Sequence, residues 1–263
     1  MISILISDAI ELIHITLLTA FLINTIRRNP VIKSSTASLY VLGTVVYIAS
    51  DLYWIVHLLI KNGETPSFSA VEIGIAGVFI FYGAAIHERM RPKQRFFKLT
   101  FPVVFAALFT LINTICWILW TSGVVRDTIT GIAMGYFACV LAVRMEELEL
   151  LKKEKRAQAS LFTAVLMFLE LGTVYTSGTL LLLLDIARYI FWFAGVLYFA
   201  VLVYKYVIAG KDIEKGLCSS FAFYLWSVFG LYLSAGTMYQ VFNVILLFSM
   251  IAMFLAVRKE EGR

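Results

Sequence analysis

What most constrains this chain is a succession of continuous apolar runs, each about 20 residues long, separated by short connections rich in Lys and Arg. A helix rises about 1.5 Å per residue, so such a run crosses a hydrocarbon core of about 30 Å. In lipid every backbone N–H and C=O must be satisfied within the protein, which leaves helices or closed barrels. Barrel strands would read as alternating segments of about 10 residues, whereas these runs are continuous. Composition agrees: 61% of the 263 residues are hydrophobic and 15% are charged. A soluble domain would be roughly half apolar and a quarter charged. The sequence therefore specifies an all-α polytopic membrane protein. The net charge of +5 is no sign of a nucleic-acid partner, because the Lys and Arg cluster at helix ends. Cys116, Cys139 and Cys218 lie in or beside apolar runs and read as small packing residues.

Nine spans follow, at roughly 3–26, 37–60, 68–87, 99–120, 127–145, 157–176, 180–207, 217–234 and 237–258. Tyr175-Thr176-Ser177-Gly178 divides the sixth from the seventh, and Ser234-Ala235-Gly236-Thr237 divides the eighth from the ninth. The first run lacks a basic leader and carries Asp8, Glu11 and His14, so it is expected to remain as a helix. Basic residues follow the first, third, fifth, seventh and ninth spans; of the 22, only Lys61, Arg126 and Arg188 fall elsewhere. The positive-inside rule then places the N-terminus outside and the C-terminus in the cytoplasm, across a cell membrane. In the connection 144–157 acids precede bases, with Glu149 and Lys153 in the favourable i,i+4 order. It predicts helical extensions beyond the inner surface, either simply solvated or serving as a dimer or regulatory contact.

Two strings 114 residues apart are nearly the same: Leu141-Ala142-Val143-Arg144-Met145-Glu146-Glu147 and Leu255-Ala256-Val257-Arg258-Lys259-Glu260-Glu261. The second and sixth spans both open with Ala-Ser-Leu-aromatic, at Ala37–Tyr40 and Ala159–Phe162. These matches suggest an extra helix (1–33) followed by two four-helix repeats of parallel topology, 34–156 and 157–263.

Charges in hydrocarbon are expensive and usually functional. Asp8, Glu11, His14, Asp51, His57, Glu72, Glu170, Asp185 and Arg188 all map to the outer half of the spans, while the cytoplasmic halves read as almost free of buried charge. An outward-facing acidic and aromatic pocket is the expected consequence. Asp51 stands about 21 Å and Glu170 about 20 Å from the inner surface by helix rise, so these two acids are the leading catalytic candidates. A protonated acid beside an ionised one suits acid–base chemistry, and helix–helix hydrogen bonding is the simpler alternative. Glu72, Tyr53, Trp54, Asp185 and Arg188 are candidates for substrate contact. Asp51, Trp54 and His57, spaced by three, drift along one stripe of their helix. For Tyr53 and Trp54 an interfacial aromatic belt explains the same pattern, and for Asp185 with Arg188 an i,i+3 ion pair does. Glu11 and His14 form Glu-x-x-His, which with His57 is compatible with a divalent metal in a mixed carboxylate–imidazole site.

Ser50-Asp51 in an apolar helix, followed by the Gly- and aromatic-rich Glu72-Ile73-Gly74 to Phe81-Tyr82-Gly83, resembles the YhhN-like lysoplasmalogenases. The resemblance implies a helical membrane hydrolase of about eight spans with catalytic acids in two halves, and Asp51 and Glu170 are the positions it would carry over. Two departures stand against it: no Ser precedes Glu170, and there is a ninth span. The reading that follows is a hydrolase acting on a lipid-like substrate. A sensor for a small exoplasmic ligand and a proton- or cation-coupled transporter remain as alternatives. Membrane lipids, a small-molecule or lipid ligand and a second copy of the chain are the expected partners.

Overall fold

A computed structural model describes residues 2–28, 34–60, 70–90, 100–121, 123–150 and 153–261, apart from the side chains of 2–8, 11, 28, 58, 59, 70, 153 and 155. The expectations placed on the side chains of Asp8 and Glu11, on Lys61 and on the cluster Arg91–Lys98 lie outside the described residues. Nine α-helices form among those that are described: α1 Ile2–Arg28, α2 Ser35–Ile60, α3 Ala70–His87, α4 Phe101–Thr121, α5 Val124–Glu147, α6 Lys153–Tyr175, α7 Gly178–Val203, α8 Ile213–Tyr232 and α9 Gly236–Glu261. A π-helical turn, Tyr204–Ile208, closes α7. The two shortest connections fall where small residues interrupt the apolar pattern. Gly178 and Gly236 have φ of 67° and 57°, a left-handed conformation that glycine adopts without steric cost.

Six helices, α2, α4, α5, α6, α7 and α9, are long and apolar enough to cross a membrane. Their outward faces explain why they need one. On α7 alone Leu180, Leu182, Leu183, Ile186, Ile190, Leu197 and Val201 are exposed, a patch that water would not tolerate and hydrocarbon covers. The helix α8 occupies the middle. Every residue from Gly216 to Leu231 except Trp226 is buried. Its Ser219, Ser220 and Ser227 hydroxyls donate back to the carbonyls of Lys215, Leu217 and Phe223, which satisfies them inside the bundle.

Around the bundle the packing neighbours run α1, α2, α3, α5, α4, α6, α7, α8, α9, with α9 returning to α1 and α8 reaching α5. The first group of four is thus ordered 2-3-5-4 and the second 6-7-8-9, so the packing lends the expected repeat no support. Glycines let aromatic rings approach in the core. A Cβ on Gly195 would stand 2.2 Å from the Trp226 ring, and one on Gly230 would stand 2.3 Å from Phe242.

The connection 144–157 differs from expectation. The helix α5 stops at Glu147, and Glu149 turns left-handed at φ 52°. The Leu150 N–H bonds the Met145 carbonyl at 3.0 Å and the Glu149 N–H bonds Glu146 at 3.1 Å, the paired bonds of a Schellman cap. The cap buries Leu150. Glu149 therefore lies outside α5, and the side chain of Lys153, its expected partner, lies outside the described residues.

Candidate functional site

A cavity of about 360 Å³ opens at the end of the bundle where α2, α4 and α8 finish and α3, α5 and α9 begin. It brings together four of the residues singled out by sequence: His14 from α1, Asp51 and Trp54 from α2, and Glu72 from α3. Tyr47, Trp117, Tyr232 and Tyr239 add aromatic walls, and Arg126, Thr130 and Asn243 add polar edges. The i,i+3 spacing of Asp51 and Trp54 aims both into the same space, as the helix period requires.

Two geometric details make the cavity a receptive site. His14 is buried, and its Nε2–H donates to the Asn243 carbonyl at 3.2 Å, which joins α1 to α9. The Asn243 side chain is itself only 4% exposed, and its Nδ2 has no hydrogen-bond partner. A buried amide donor is costly to leave unmade, so it marks a place for an acceptor on a bound molecule or water. Arg126 is held rather than loose. Its Nε donates to Asp127 Oδ1 at 2.6 Å, its guanidinium lies 5.9 Å from the Trp117 ring centre, and it crosses the open face of Gly123. Asp127 is fully buried and also accepts from the Thr121 hydroxyl. It sits in the first turn of α5, where a helix dipole favours an anion.

Glu170 is elsewhere. It does not line the cavity that holds Asp51. It is fully buried between α6 and α7, where both carboxylate oxygens are engaged. Oε2 accepts from Arg188 at 3.1 Å, and Oε1 accepts from the Trp192 indole at 2.6 Å. Asp185 pairs with the same guanidinium at 2.9 Å, the i,i+3 contact expected from sequence. The guanidinium also lies 5.1 Å from the Trp120 ring centre and 4.7 Å from that of Tyr189. This is the geometry of a structural clamp.

Tyr53 is 44% exposed and stacks on His57 at 6.1 Å, and neither lines the cavity. Of the metal candidates Glu11, His14 and His57, the side chain of Glu11 lies outside the described residues. His14 faces the cavity while His57 lies with Tyr53, and among the described residues no three His, Cys, Asp or Glu side chains come together as ligands.

The opposite end corrects the expectation that the inner halves lack buried charge. Arg89, just beyond α3, pairs with Glu260 of α9 and with Glu214 of α8 at 3.6 Å, and its Nε donates to Thr36 at 2.8 Å. Buried Arg144 bonds Glu147 and Glu214, each at 2.6 Å. Ser34 donates to Glu260 at 2.9 Å, and Lys259 caps the carbonyls of Val207 and Ile208 at the π turn. In sequence these charges read as membrane-flanking residues, and folding turns them into a network that ties α2, α3, α5, α8 and α9 together.

Sequence reasoning missed Arg126, Asp127, Tyr47, Trp117, Tyr232, Tyr239 and Asn243. One signal was present: Arg126 is one of the three bases that break the positive-inside pattern. Compared with family models, with curated proteins and with solved structures, the chain matches none.

Proposed function

We propose that this protein is a membrane receptor that captures a small organic cation in the cavity built around Asp51 and Glu72. The observation that carries this reading is the composition of that cavity. Two carboxylates, Asp51 and Glu72, stand among the rings of Trp54, Trp117, Tyr232 and Tyr239. Cations bind over aromatic faces, most strongly over Trp, and desolvation strengthens the attraction. A volume of about 360 Å³ suits a small molecule. Asn243 supplies a donor for an acceptor atom on the same ligand.

The basic residues Arg89, Arg144, Arg156, Lys215 and Arg258 lie toward the other end of the helices, which supports a cavity facing outward and a cytoplasmic C-terminus. A C-terminal fluorescent fusion should glow inside the cell, and a dark fusion with an accessible C-terminus would reverse the orientation.

Hydrolysis by Asp51 with Glu170 is the weaker reading, since Glu170 is bound to Arg188 and Trp192. A carrier is favoured by one observation. Buried Tyr47, Tyr224, Tyr82 and Tyr40 run through the core between the cavity and the Arg89 network, and the Tyr40 hydroxyl has no partner.

Purified protein in detergent is titrated with choline, betaine, agmatine and tyramine by calorimetry and thermal shift, with acetate and phosphate as controls. At least one ammonium compound should bind, raise the melting temperature and leave unaltered. Binding of the anions but of no ammonium compound would sink the reading. Accumulation of the bound compound in proteoliposomes would convert the receptor into a carrier, and release of a lipid product would restore the hydrolase.

A further inference from the structure

One stripe of α2 carries a hydroxyl or an acid at every turn. Thr36, Tyr40, Thr44, Tyr47 and Asp51 are spaced by four, four, three and four residues, so all five lie on one face of the helix. The four hydroxyl-bearing residues are buried. The stripe joins two cavities. Tyr47 and Asp51 line the one described above. Thr36 lines another, of about 410 Å³, at the inner end where α2 begins and α3 and α9 finish. Only Tyr40 and Thr44 of the stripe stand on neither wall. From Thr36 to Tyr47 is about 16 Å by helix rise, against a core of about 30 Å.

Neighbouring helices add hydroxyls to the same column. The Tyr82 ring of α3 stacks on Tyr40 at 5.7 Å and meets Tyr224 of α8 edge-on at 5.3 Å. The Thr44 hydroxyl donates to the Tyr40 carbonyl at 2.8 Å, so across the 3.2 Å to Tyr82 it is the tyrosine that donates. Two atoms of the column are left over. The Tyr40 hydroxyl and Oε2 of Glu260 are buried without a hydrogen-bond partner. Glu260 lines the inner cavity beside Arg89, whose Nε donates to Thr36 at 2.8 Å. Polar atoms left unpaired inside a bundle cost stability, and packing alone gives no reason to keep them. The rings of Tyr82, Phe137 and Phe221 lie 5.6–6.4 Å apart, so the column runs through packed core.

We infer that the protein conducts protons along this column, between the Asp51 cavity and the Arg89–Glu260 end. A hydroxyl accepts a proton on a lone pair and gives up its own on the other side, so each member passes one on and none is consumed. Asp51 and Glu260 exchange protons with water, each at its own end, and the pH and voltage difference across the membrane sets the direction. The conductance needs no bound ligand, so it goes beyond the receptor reading and stands or falls apart from it.

The full chain is reconstituted in liposomes that enclose a pH-sensitive dye, and valinomycin sets a potassium diffusion potential. The internal pH should change several times faster than in protein-free vesicles, with no matching sodium flux. Y40F/T44V deletes the two hydroxyls between the cavities and should lower the rate about tenfold or more. Tyr40→Phe alone should slow it while leaving the melting temperature level or higher, because the lost hydroxyl bonds nothing. Thr110→Val removes a hydroxyl on α4, away from the column, and should leave the rate unchanged. Wild-type vesicles no faster than protein-free ones overturn the inference. So does an undiminished rate in Tyr40→Phe, which decides the matter if the double variant does not fold. Sodium crossing as fast as the proton also overturns it, since that would mean an open aqueous pore.

Discussion

Asp51 and Glu170, which helix rise counted along the sequence puts at almost the same height, have opposite circumstances. Asp51 lines a cavity shared with Glu72, Trp54 and Arg126. Glu170 has no solvent exposure and spends both oxygens on Arg188 and Trp192. Depth along a helix therefore does not distinguish a site from a clamp. Rotation about the helix axis does, because it decides whether a carboxylate lines a cavity or is enclosed with a guanidinium and an indole.

The largest expected effect tests the clamp. Glu170→Gln leaves Arg188 with one carboxylate in a buried setting and should cost about 3 kcal/mol or more of stability. Thermal and denaturant unfolding in detergent measure it, and an unchanged melting temperature would erase the contrast drawn above. The double change E170L/R188M removes both charges and should recover most of that loss, since an apolar pair of similar volume is often neutral or better. Failure to recover would mean that Asp185, left without Arg188, matters more than the geometry suggests.

Next in size is Asp51→Asn, expected to weaken ammonium binding about tenfold or more, equivalent to about 1.4 kcal/mol, with little change in stability. Stability falling as far as in Glu170→Gln would make Asp51 a second clamp. The smallest effects separate neighbours on one helix. Trp54→Leu should weaken the same binding about fivefold by removing a cation–π face. Tyr53→Leu, one residue away but exposed, should leave it within about twofold. Equal losses at the two positions would show that the cavity is not where the ligand sits.

Much of this was legible in the chain. The breaks at Gly178 and Gly236 fall where the apolar pattern yields to small residues, and both positions use the left-handed backbone that glycine permits. His14, Asp51, Trp54 and Glu72 could be grouped because an acid or imidazole in an apolar run must find a polar place, and one end of the bundle was the common place available. Arg126 and Asp127 were passed over because a base next to an acid at a helix start looks like a surface pair. The Arg89, Arg144, Glu214 and Glu260 network was hidden for a related reason. Charges at helix ends are normally solvated, and only the approach of α8 and α9 buries these.

By itself the sequence determined the solvent and the number of segments: a helical membrane protein with nine apolar stretches. Hydrophobicity is a property of each segment against its surroundings, so it adds residue by residue and can be read locally. Tertiary structure alone decided that α3 packs on α5 rather than α4, that α8 lies in the middle, and that Asp51 faces a cavity while Glu170 faces Arg188. Helix order and rotation depend on how side chains of distant segments fit one another, and a pattern within one segment does not contain that fit.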